Sequence, residues 1–580
     1  MPMKLYKYLL TNCFLLTTNA LLQAQTPSIV SQAQSFAIST DKAAYNPGDV
    51  VNFTLQQSAP AGSYVKYLHL NKIISTQKIT GNSWKWKAPS ADYTGYLAVV
   101  YQKVKGKEEV WSSIGIDVSS NWGKYPRYGF LSHYNKMDTA QTNAVVKNLN
   151  RYHINGIQFY DWHYEHHQPL AGTVDKPDTI WKDIANRPIY FNTVQNYITA
   201  AHKHGMKAMF YNLVYGALKD AGTAVDDKWY MYTDKNHGTK EKFALPSNFV
   251  SDIFFTDPAN TDWQKFITKE NAKVYEVFPF DGYHMDQVGN RDKKLYDYNG
   301  REISLDETFG QFVSGIKALE PKRPVVMNAV NQYGGQGIGK SPVEFMYTEV
   351  WPPNDDFNAL ARNITDNDEW SGYKKSTILA AYMNYDNAEN KGWVNTPSIL
   401  LADAVIFAFG GAHLELGEHM LCKEYFPNNN LQMKEDLKAS LVTYYDFLVG
   451  YENLLRGGKL FTPDVASLNS NVKLNAWPAQ QGSISVTGRK VGNKDVLHFI
   501  NFSNAAHMNW RDNKGTQTEP VAINNISLHI NASGKAKKVW VASPDNNGGA
   551  PQELKFRQDN NHVIVTLPGI KYWDMLVIEY

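Results

Sequence analysis

The chain has 580 residues, of which 43% are hydrophobic and 13% are aromatic. Because an ordinary domain takes about 100–200 residues, this length excludes a single small module and predicts two to four domains, and the apolar content excludes a disordered chain. The formal net charge of +2, from 58 basic and 56 acidic residues, gives no broad positive field. We therefore expect no binding to nucleic acid or to an anionic membrane and favour a neutral partner.

The first 24 residues have the pattern of a secretory signal peptide. Lys4 and Lys7 form a positively charged start, residues 9–22 are mostly apolar, and the segment ends at the small residue Ala24. This order of charge, apolar run and small residue is what signal cleavage requires. We predict a secreted protein, extracellular or periplasmic, that is cleaved near Ala24.

The predicted mature chain contains one cysteine, Cys422, because Cys13 leaves with the signal peptide. No intramolecular disulfide is then possible, so stability must come from packed cores. No later apolar run reaches the about 20 residues that span a bilayer. We expect a monomer with no membrane span.

Two β-rich regions are predicted to flank the centre of the chain. Residues 25–122 contain short strand-like runs separated by turn signals such as residues 45–49, Tyr-Asn-Pro-Gly-Asp, which favours an immunoglobulin-like β-sandwich. Residues 458–580 return to short strands with Gly- and Asn-rich turns, which predicts an antiparallel C-terminal β domain.

Residues 123–457 alternate apolar strand-like runs with amphipathic helical stretches, which predicts a central (β/α)8 barrel, the TIM-barrel architecture. We leave 213–280 as a long loop excursion between the third and fourth strands. The eight strand candidates are Tyr128–Ser132, Ile157–Asp161, Lys207–Asn212, Gly282–Asp286, Val325–Asn328, Phe345–Glu349, Ile378–Met383 and Ala412–Glu415.

Four of these strands end in a carboxylate: Asp161, Asp286, Glu349 and Glu415. Because strand C-termini form the mouth of a barrel, we expect these four groups to converge on one pocket. Several acids in a pocket for a neutral partner indicate acid/base chemistry on a glycosidic bond. The alternative is that each acid caps a helix or pairs with a nearby Lys or Arg.

Glycoside hydrolysis needs one carboxylate to attack the sugar or activate water and one protonated acid to release the leaving oxygen. Asp286 and Glu349 are the best candidate pair, since they end the fourth and sixth strands. Asp281 begins its strand, so a structural role is expected for it at the opposite end of the barrel.

Two other motifs resemble a metal site and a nucleotide site, and we predict that neither binds a cofactor. Residues 163–167, His-Tyr-Glu-His-His, lack the paired spacing of a zinc helix, and Glu418 and His419 are expected to act as hydrogen-bonding partners, so no metal is predicted. The Gly-rich segment 334–341 matches a phosphate loop, but strand-like sequence follows Pro342 where that loop needs a helix. We predict a flexible loop over the barrel mouth, which could act as a lid, and no nucleotide binding.

These segments together resemble glycoside hydrolase family 66, the dextranases and cycloisomaltooligosaccharide glucanotransferases. The segments that carry the resemblance are Tyr128-Gly129-Phe130-Leu131, residues 155–162, residues 281–289, Tyr347-Thr348-Glu349-Val350-Trp351 and residues 414–419. The resemblance implies a retaining mechanism on α-1,6-linked glucan, with Asp286 as nucleophile, Glu349 as acid/base and Asp161 in the innermost sugar site. It extends the expected substrate-binding set to Tyr160, Trp162, His163, His284, Gln287, Trp351, Asn384, Glu415 and Glu418.

The resemblance also separates two activities. Cyclising members of the family carry a carbohydrate-binding module inserted in the barrel, and the stretch 213–280 is too short to contain one. This length favours a secreted endo-dextranase that releases isomaltooligosaccharides from dextran without a cofactor. A cyclising glucanotransferase and a non-catalytic glucan-binding protein stay open as alternatives.

Overall fold

The computed structural model describes residues 37–580. The predicted signal peptide, residues 1–24, lies outside this range. None of the helices within it combines the length and the apolar character needed to cross a bilayer.

The N-terminal region forms two antiparallel sheets, with three and four strands. Aromatic side chains are buried between the two sheets; for example, the rings of Phe53 and Trp84 stack with their centroids 4.9 Å apart. The immunoglobulin-like type stays a prediction. The strands are Ile38–Thr40, Val50–Leu55 and Ser83–Lys87 in one sheet, and Tyr64–His69, Lys72–Lys78, Thr94–Val104 and Lys107–Val118 in the other.

The centre of the chain is an eight-stranded parallel barrel, which confirms the predicted architecture. All eight strand candidates overlap observed strands, because each is a short apolar run buried on both faces. In barrel order the strands are Tyr128–Leu131, Gly156–Phe159, Lys207–Leu213, Gly282–Asp286, Val325–Val330, Met346–Glu349, Thr377–Ala380 and Gly411–His413.

One helix follows each barrel strand. Side-chain caps fix several starts: Asp138 makes a capping box with Gln141, and Asp356 accepts a hydrogen bond from the amide of Ala359. The helices are Thr139–Arg151, Phe191–Lys203, Thr261–Val277, Leu305–Leu319, Gly335–Lys340, Phe357–Trp370, Thr396–Ala408 and Glu435–Gly450, and a short helix, Glu452–Leu455, ends the barrel.

Two expectations about this region are wrong. The excursion 213–280 is not all loop, since Asn260 caps the regular helix Thr261–Val277. The segment 334–341 is not a loop over the mouth, because Gly335–Lys340 forms a helix packed between its neighbours. A Cβ on Gly335 would lie only 2.5 Å from the Trp370 ring, so glycine permits this close approach.

The C-terminal region is antiparallel apart from one parallel pair. One sheet contains Lys459–Phe461, Leu474–Ala476, Ile484–Val491, Lys494–Asn501, Lys538–Ala542, Gln552–Glu553 and Trp573–Glu579, and the other contains Val465–Ser467, Ile523–Asn531, Phe556–Asp559 and His562–Ile570. We keep 122/123 and 457/458 as proposed domain boundaries, which fall between these sheets and the barrel elements.

A loop of this C-terminal region reaches the mouth of the barrel. The guanidinium of Arg511 donates a hydrogen bond to the carbonyl of Val350 at 2.7 Å and lies 5.1 Å from the ring of Trp351. Trp510 donates to the carbonyl of Asn354 at 2.6 Å. The C-terminal region therefore supports the segment that follows the sixth barrel strand.

Candidate active site

A cavity of about 600 Å³ opens at the C-terminal ends of the barrel strands. The charged residues that line it are four carboxylates, Asp161, Asp286, Glu349 and Glu424. Seven of the sequence-predicted site residues line this cavity: Tyr160, Asp161, His284, Asp286, Gln287, Glu349 and Trp351.

Asp286 and Glu349 are joined through one side-chain nitrogen. Nδ2 of Asn328 donates to Oδ1 of Asp286 at 2.8 Å and to Oε2 of Glu349 at 2.9 Å. An amide nitrogen carries two hydrogens in a trigonal arrangement, so this geometry places the two acceptor oxygens about 5 Å apart. The remaining oxygens also have donors, since Tyr211 donates to Oδ2 of Asp286 and Tyr382 donates to Oε1 of Glu349, each at 2.8 Å.

The two carboxyl groups have different electrostatic surroundings. Burial, and then the charge of Asp286, raise the pKa of Glu349 to about 7, against the lowering effect of the hydrogen bonds from Asn328 and Tyr382. Burial also raises the pKa of Asp286, but hydrogen bonds from Asn328, Tyr211 and the backbone of Gln287 oppose it. Asp286 is therefore the better placed of the two to be ionised while Glu349 holds a proton.

Asp161 lies two residues after the second barrel strand in the left-handed backbone region, with φ of 48°. A guanidinium nitrogen of Arg187 lies 3.4 Å from Oδ2 of Asp161 and 2.6 Å from Oδ2 of Asp183. Burial raises the pKa of Asp161 to about 7, with the charge of Arg187 opposing the rise. The strained backbone and the Arg187 contact fix the carboxyl at the cavity wall.

A family model described as glycosyl hydrolase family 66 matches residues 40–577. This chain belongs to family 66. The match spans the barrel and both flanking β regions, so the resemblance predicted from the sequence is confirmed.

The curated relatives of this family 66 chain include both activities. A cycloisomaltooligosaccharide glucanotransferase from Niallia circulans is 27% identical over 93% of this chain and 71% of its own length. A dextranase from Streptococcus salivarius is 24% identical over 84% of this chain and 67% of its own length. The alignment with the glucanotransferase runs over 704 residues, more than this chain possesses, so that relative has inserted segments which this chain lacks.

A solved structure shares the architecture. The crystal structure of a Paenibacillus sp. cycloisomaltooligosaccharide glucanotransferase, complexed with cycloisomaltoheptaose, matches with a TM-score of 0.84 and 25% identity. The match covers 93% of this chain and 99% of that chain.

Three predicted site residues of the family 66 chain lie behind the cavity wall or beside it. Trp162 is fully buried and its Nε1 donates to the backbone carbonyl of Tyr211 at 3.3 Å. His163 is also fully buried, with Nε2 3.0 Å from Nδ1 of His166. Asn384 donates to the backbone carbonyl of Asp512 at 2.9 Å, so its side chain joins the barrel to the C-terminal region.

The expected convergence of four strand-end carboxylates is wrong for Glu415. This side chain is fully buried, accepts a hydrogen bond from the Tyr445 hydroxyl at 3.0 Å, and lies 3.4 Å from Nδ1 of His413. Glu418 does not line the cavity either, because it accepts hydrogen bonds from the backbone and hydroxyl of Ser132. Both side chains hold the end of the barrel together.

Sequence reasoning missed several residues that build the site. The two carboxylates are held by hydrogen bonds from Asn328, Tyr211 and Tyr382, which lie on other strands or just after them. Of these three residues, only Asn328 could have been found from the sequence, because it is the polar residue that ends an apolar strand. An apolar wall comes from the excursion after the third strand: Phe243, Leu245, Phe249 and Ile253. Tyr425 and Phe426 add rings from the segment after the eighth strand.

Proposed function

We propose that this family 66 chain is a secreted, retaining endo-dextranase that hydrolyses α-1,6-glucosidic linkages to isomaltooligosaccharides. The observation that carries the proposal is the shared hydrogen-bond donor between Asp286 and Glu349. Retaining glycosidases hold their two carboxyl groups about 5–5.5 Å apart, whereas inverting enzymes need about 6.5–9.5 Å to admit water. The separation set by Asn328 supports the retaining geometry.

In the first step, Oδ of Asp286 attacks the anomeric carbon, the bond from that carbon to the bridging O6 breaks, and Glu349 gives its proton to O6. In the second step, ionised Glu349 takes a proton from water, whose oxygen attacks the anomeric carbon and releases Asp286. The pKa of Glu349 near 7 suits a group that must be protonated first and ionised later.

The cavity supports a neutral glucan as substrate. Its charged lining residues are all carboxylates, so an anionic substrate would be repelled, whereas sugar hydroxyls can donate to them. Tyr160 and Phe426 stack at 4.2 Å and present apolar ring surface suited to sugar faces. Dextran is too large to enter a cell unaided, which is consistent with the predicted signal peptide.

A cyclising glucanotransferase is the second candidate, because curated relatives carry that name. The stretch 213–280 is too short to hold the inserted carbohydrate-binding module expected of cyclising members, which favours the hydrolase. Products of a dextran digest distinguish the two. A hydrolase releases linear isomaltooligosaccharides whose reducing ends increase with time, whereas a cyclising enzyme releases products without reducing ends.

The role of Asp286 is tested with Asp286→Gly. This variant should lose dextran hydrolysis and regain turnover with azide, giving a glycosyl azide of inverted anomeric configuration. The unmodified enzyme should release the α-anomer first, as seen by NMR of fresh product. Activity close to that of the unmodified enzyme in Asp286→Gly, or β-anomer as the first product, would overturn the proposed mechanism.

A further inference from the structure

The barrel closes between its first and eighth strands through few backbone contacts. Among the described residues, these strands share no continuous ladder, and the junction is a single bridge between Phe130 and Gly417. Within it, the amide of Phe130 donates to the carbonyl of Leu416 at 3.1 Å. This seam has fewer backbone hydrogen bonds than each of the seven other strand pairs. Contacts between side chains beside the seam therefore contribute more to holding the first and eighth strands together.

Three side chains meet at the mouth end of the seam. His133 follows the first strand, and Glu418 and His419 follow the eighth. One donor atom from each of the three lies within 4.8 Å of the others. The imidazole rings of His133 and His419 are 6.0 Å apart, centre to centre.

The carboxylate of Glu418 is satisfied on one oxygen only. Oε1 accepts hydrogen bonds from the backbone and hydroxyl of Ser132, at 2.9 and 2.6 Å, and lies 2.7 Å from Nδ1 of His133. Oε2 is enclosed by protein and has no hydrogen-bond partner among residues 37–580. A buried carboxylate oxygen without a protein donor is costly, so this atom is available to bind a ligand.

His419 has a matching unsatisfied atom. Nδ1 donates to the carbonyl of Met420 at 3.0 Å, which leaves the lone pair on Nε2. Nε2 is buried and likewise has no partner of suitable geometry within the described chain.

We propose that His133, Glu418 and His419 bind a zinc ion that joins the two sides of the barrel seam. Two imidazole nitrogens and one carboxylate oxygen are a zinc donor set, with water completing the coordination. Calcium and magnesium prefer all-oxygen sites and do not fit two histidines. The Met420 carbonyl holds the His419 tautomer as second-sphere carbonyls do in zinc proteins.

Two other clusters of similar composition fit an ion less well. One cluster contains Glu165, His167 and Asp220. The amide of Leu218 donates to Nδ1 of His167 at 3.5 Å, so the ring proton is on Nε2. Because Nε2 is the nitrogen that faces Glu165, the proton occupies the position that an ion would need. In the cluster of Asp403, His413 and Glu415, both ring nitrogens of His413 already face acceptors, Oδ1 of Asp403 and the carbonyl of Ala381, each at 2.9 Å.

The site would also act on the cavity through the segment that follows it. Phe426, seven residues beyond His419, lines the cavity, and its ring lies 5.1 Å from that of Phe130 on the other side of the seam. Zinc would therefore hold both the barrel closure and one cavity wall. This inference does not depend on the proposed dextranase activity.

The test uses full-length mature protein stripped with a chelator and titrated with zinc chloride in a calorimeter. We expect one zinc per chain, a rise in Tm with zinc but not with equimolar calcium or magnesium, and visible d–d absorption when cobalt replaces zinc.

Glu418→Gln keeps the Ser132 contacts, and His419→Asn keeps a donor for the Met420 carbonyl. Since a lost second-sphere partner alone costs about 10–100-fold in metal affinity, each variant should bind zinc at least about 10-fold more weakly.

Glu165→Gln is the matched control, because it alters the other solvent-accessible cluster and should leave zinc affinity unchanged. His133→Ala removes the most exposed of the three ligands and serves if either buried variant fails to fold by circular dichroism. The proposal is overturned if the unmodified protein shows no stoichiometric zinc binding, or if binding is unchanged in Glu418→Gln, His419→Asn and His133→Ala. Loss of binding in Glu165→Gln alone would assign the ion to that other cluster instead.

Discussion

Asp286 and Glu349 accept hydrogen bonds from the same nitrogen, Nδ2 of Asn328. The shared donor sets the spacing of the carboxylates and lowers the pKa of both. We expect Asn328→Ala to lower kcat on dextran by about 100-fold, since a misplacement of about 1 Å costs that much. Both limbs of the pH–rate profile should also move to higher pH. A loss below threefold with an unmoved profile would show that the bridge does not position the pair.

Tyr211 and Tyr382 provide a matched pair of variants, because each hydroxyl donates to one carboxylate only. A hydrogen bond to a charged group contributes about 1.5–3 kcal/mol, and one pKa unit corresponds to about 1.4 kcal/mol. Tyr382→Phe should therefore raise the apparent pKa of the alkaline limb of the pH–rate profile by about one unit. Tyr211→Phe should raise the apparent pKa of the acid limb by a similar amount. Each variant is the control for the other, and movement of the same limb in both would contradict the assignment of roles.

Glu349→Gln tests the general acid directly. Glutamine keeps the shape but has no proton to give, so poor leaving groups should suffer most. An activated aryl glucoside, whose phenolate leaves unaided, should still form the covalent intermediate on Asp286 and then stall. Pre-steady-state release of the phenol should show a burst followed by slow turnover. Equal losses on dextran and on the aryl glucoside, with the alkaline limb unmoved, would assign the role to another carboxylate.

Gly335 and Gly337 lie two residues apart in one helix and should respond oppositely to alanine. A Cβ at Gly335 would lie 2.5 Å from the Trp370 ring, whereas at Gly337 the nearest atom is 3.8 Å away. We expect Gly335→Ala to destabilise by about 1–3 kcal/mol. Gly337→Ala should be neutral or stabilising by about 0.5–1 kcal/mol. Scanning calorimetry measures both, and dextran cleavage at 25 °C should be unchanged because neither residue lines the cavity.

The buried acids Asp403 and Glu415 should make stability depend on pH. Burial raises the pKa of Asp403 to about 8, and burial together with the charge of Asp403 raises that of Glu415 well above its ordinary value. The folded protein therefore keeps protons that the unfolded chain releases above about pH 4, so stability falls as pH rises toward 8.

Asp403→Asn should reduce this loss of Tm between pH 5 and pH 8, because the amide stays neutral throughout. The change corresponds to at most about 1.4 kcal/mol per pH unit for one proton. Asp262→Asn, at a side chain that is 64% exposed, should leave the pH dependence of Tm as it is. An equally steep fall of Tm in Asp403→Asn and in the unmodified protein would mean that Asp403 is ionised in the folded state.

The barrel and its two principal carboxylates were predictable from local sequence. Each strand is a short apolar run, and a residue that ends such a run in a parallel barrel is expected at the mouth. This argument placed Asp286 and Glu349 correctly, and it placed Asp281 at the other end, where it accepts hydrogen bonds from Lys207 and the amide of Ala208. The helix Thr261–Val277 also had a local signal in its Asn260 cap, which the reading of 213–280 as loop overlooked.

What only the tertiary structure decided was which side chains meet across strands. Glu415 was expected to end a strand as Asp286 does, yet it lies two residues beyond the eighth strand in a fully buried cluster, because it contacts Asp403 and Tyr445 on the surrounding helices. The donors to the carboxylates of Asp286 and Glu349 come from three strands or strand ends, at Tyr211, Asn328 and Tyr382, and Arg511 reaches Trp351 from the C-terminal region. Apolar periodicity depends on neighbours within a few residues, whereas these contacts join residues tens to hundreds of positions apart, so the sequence determined the barrel and the folded chain determined the site.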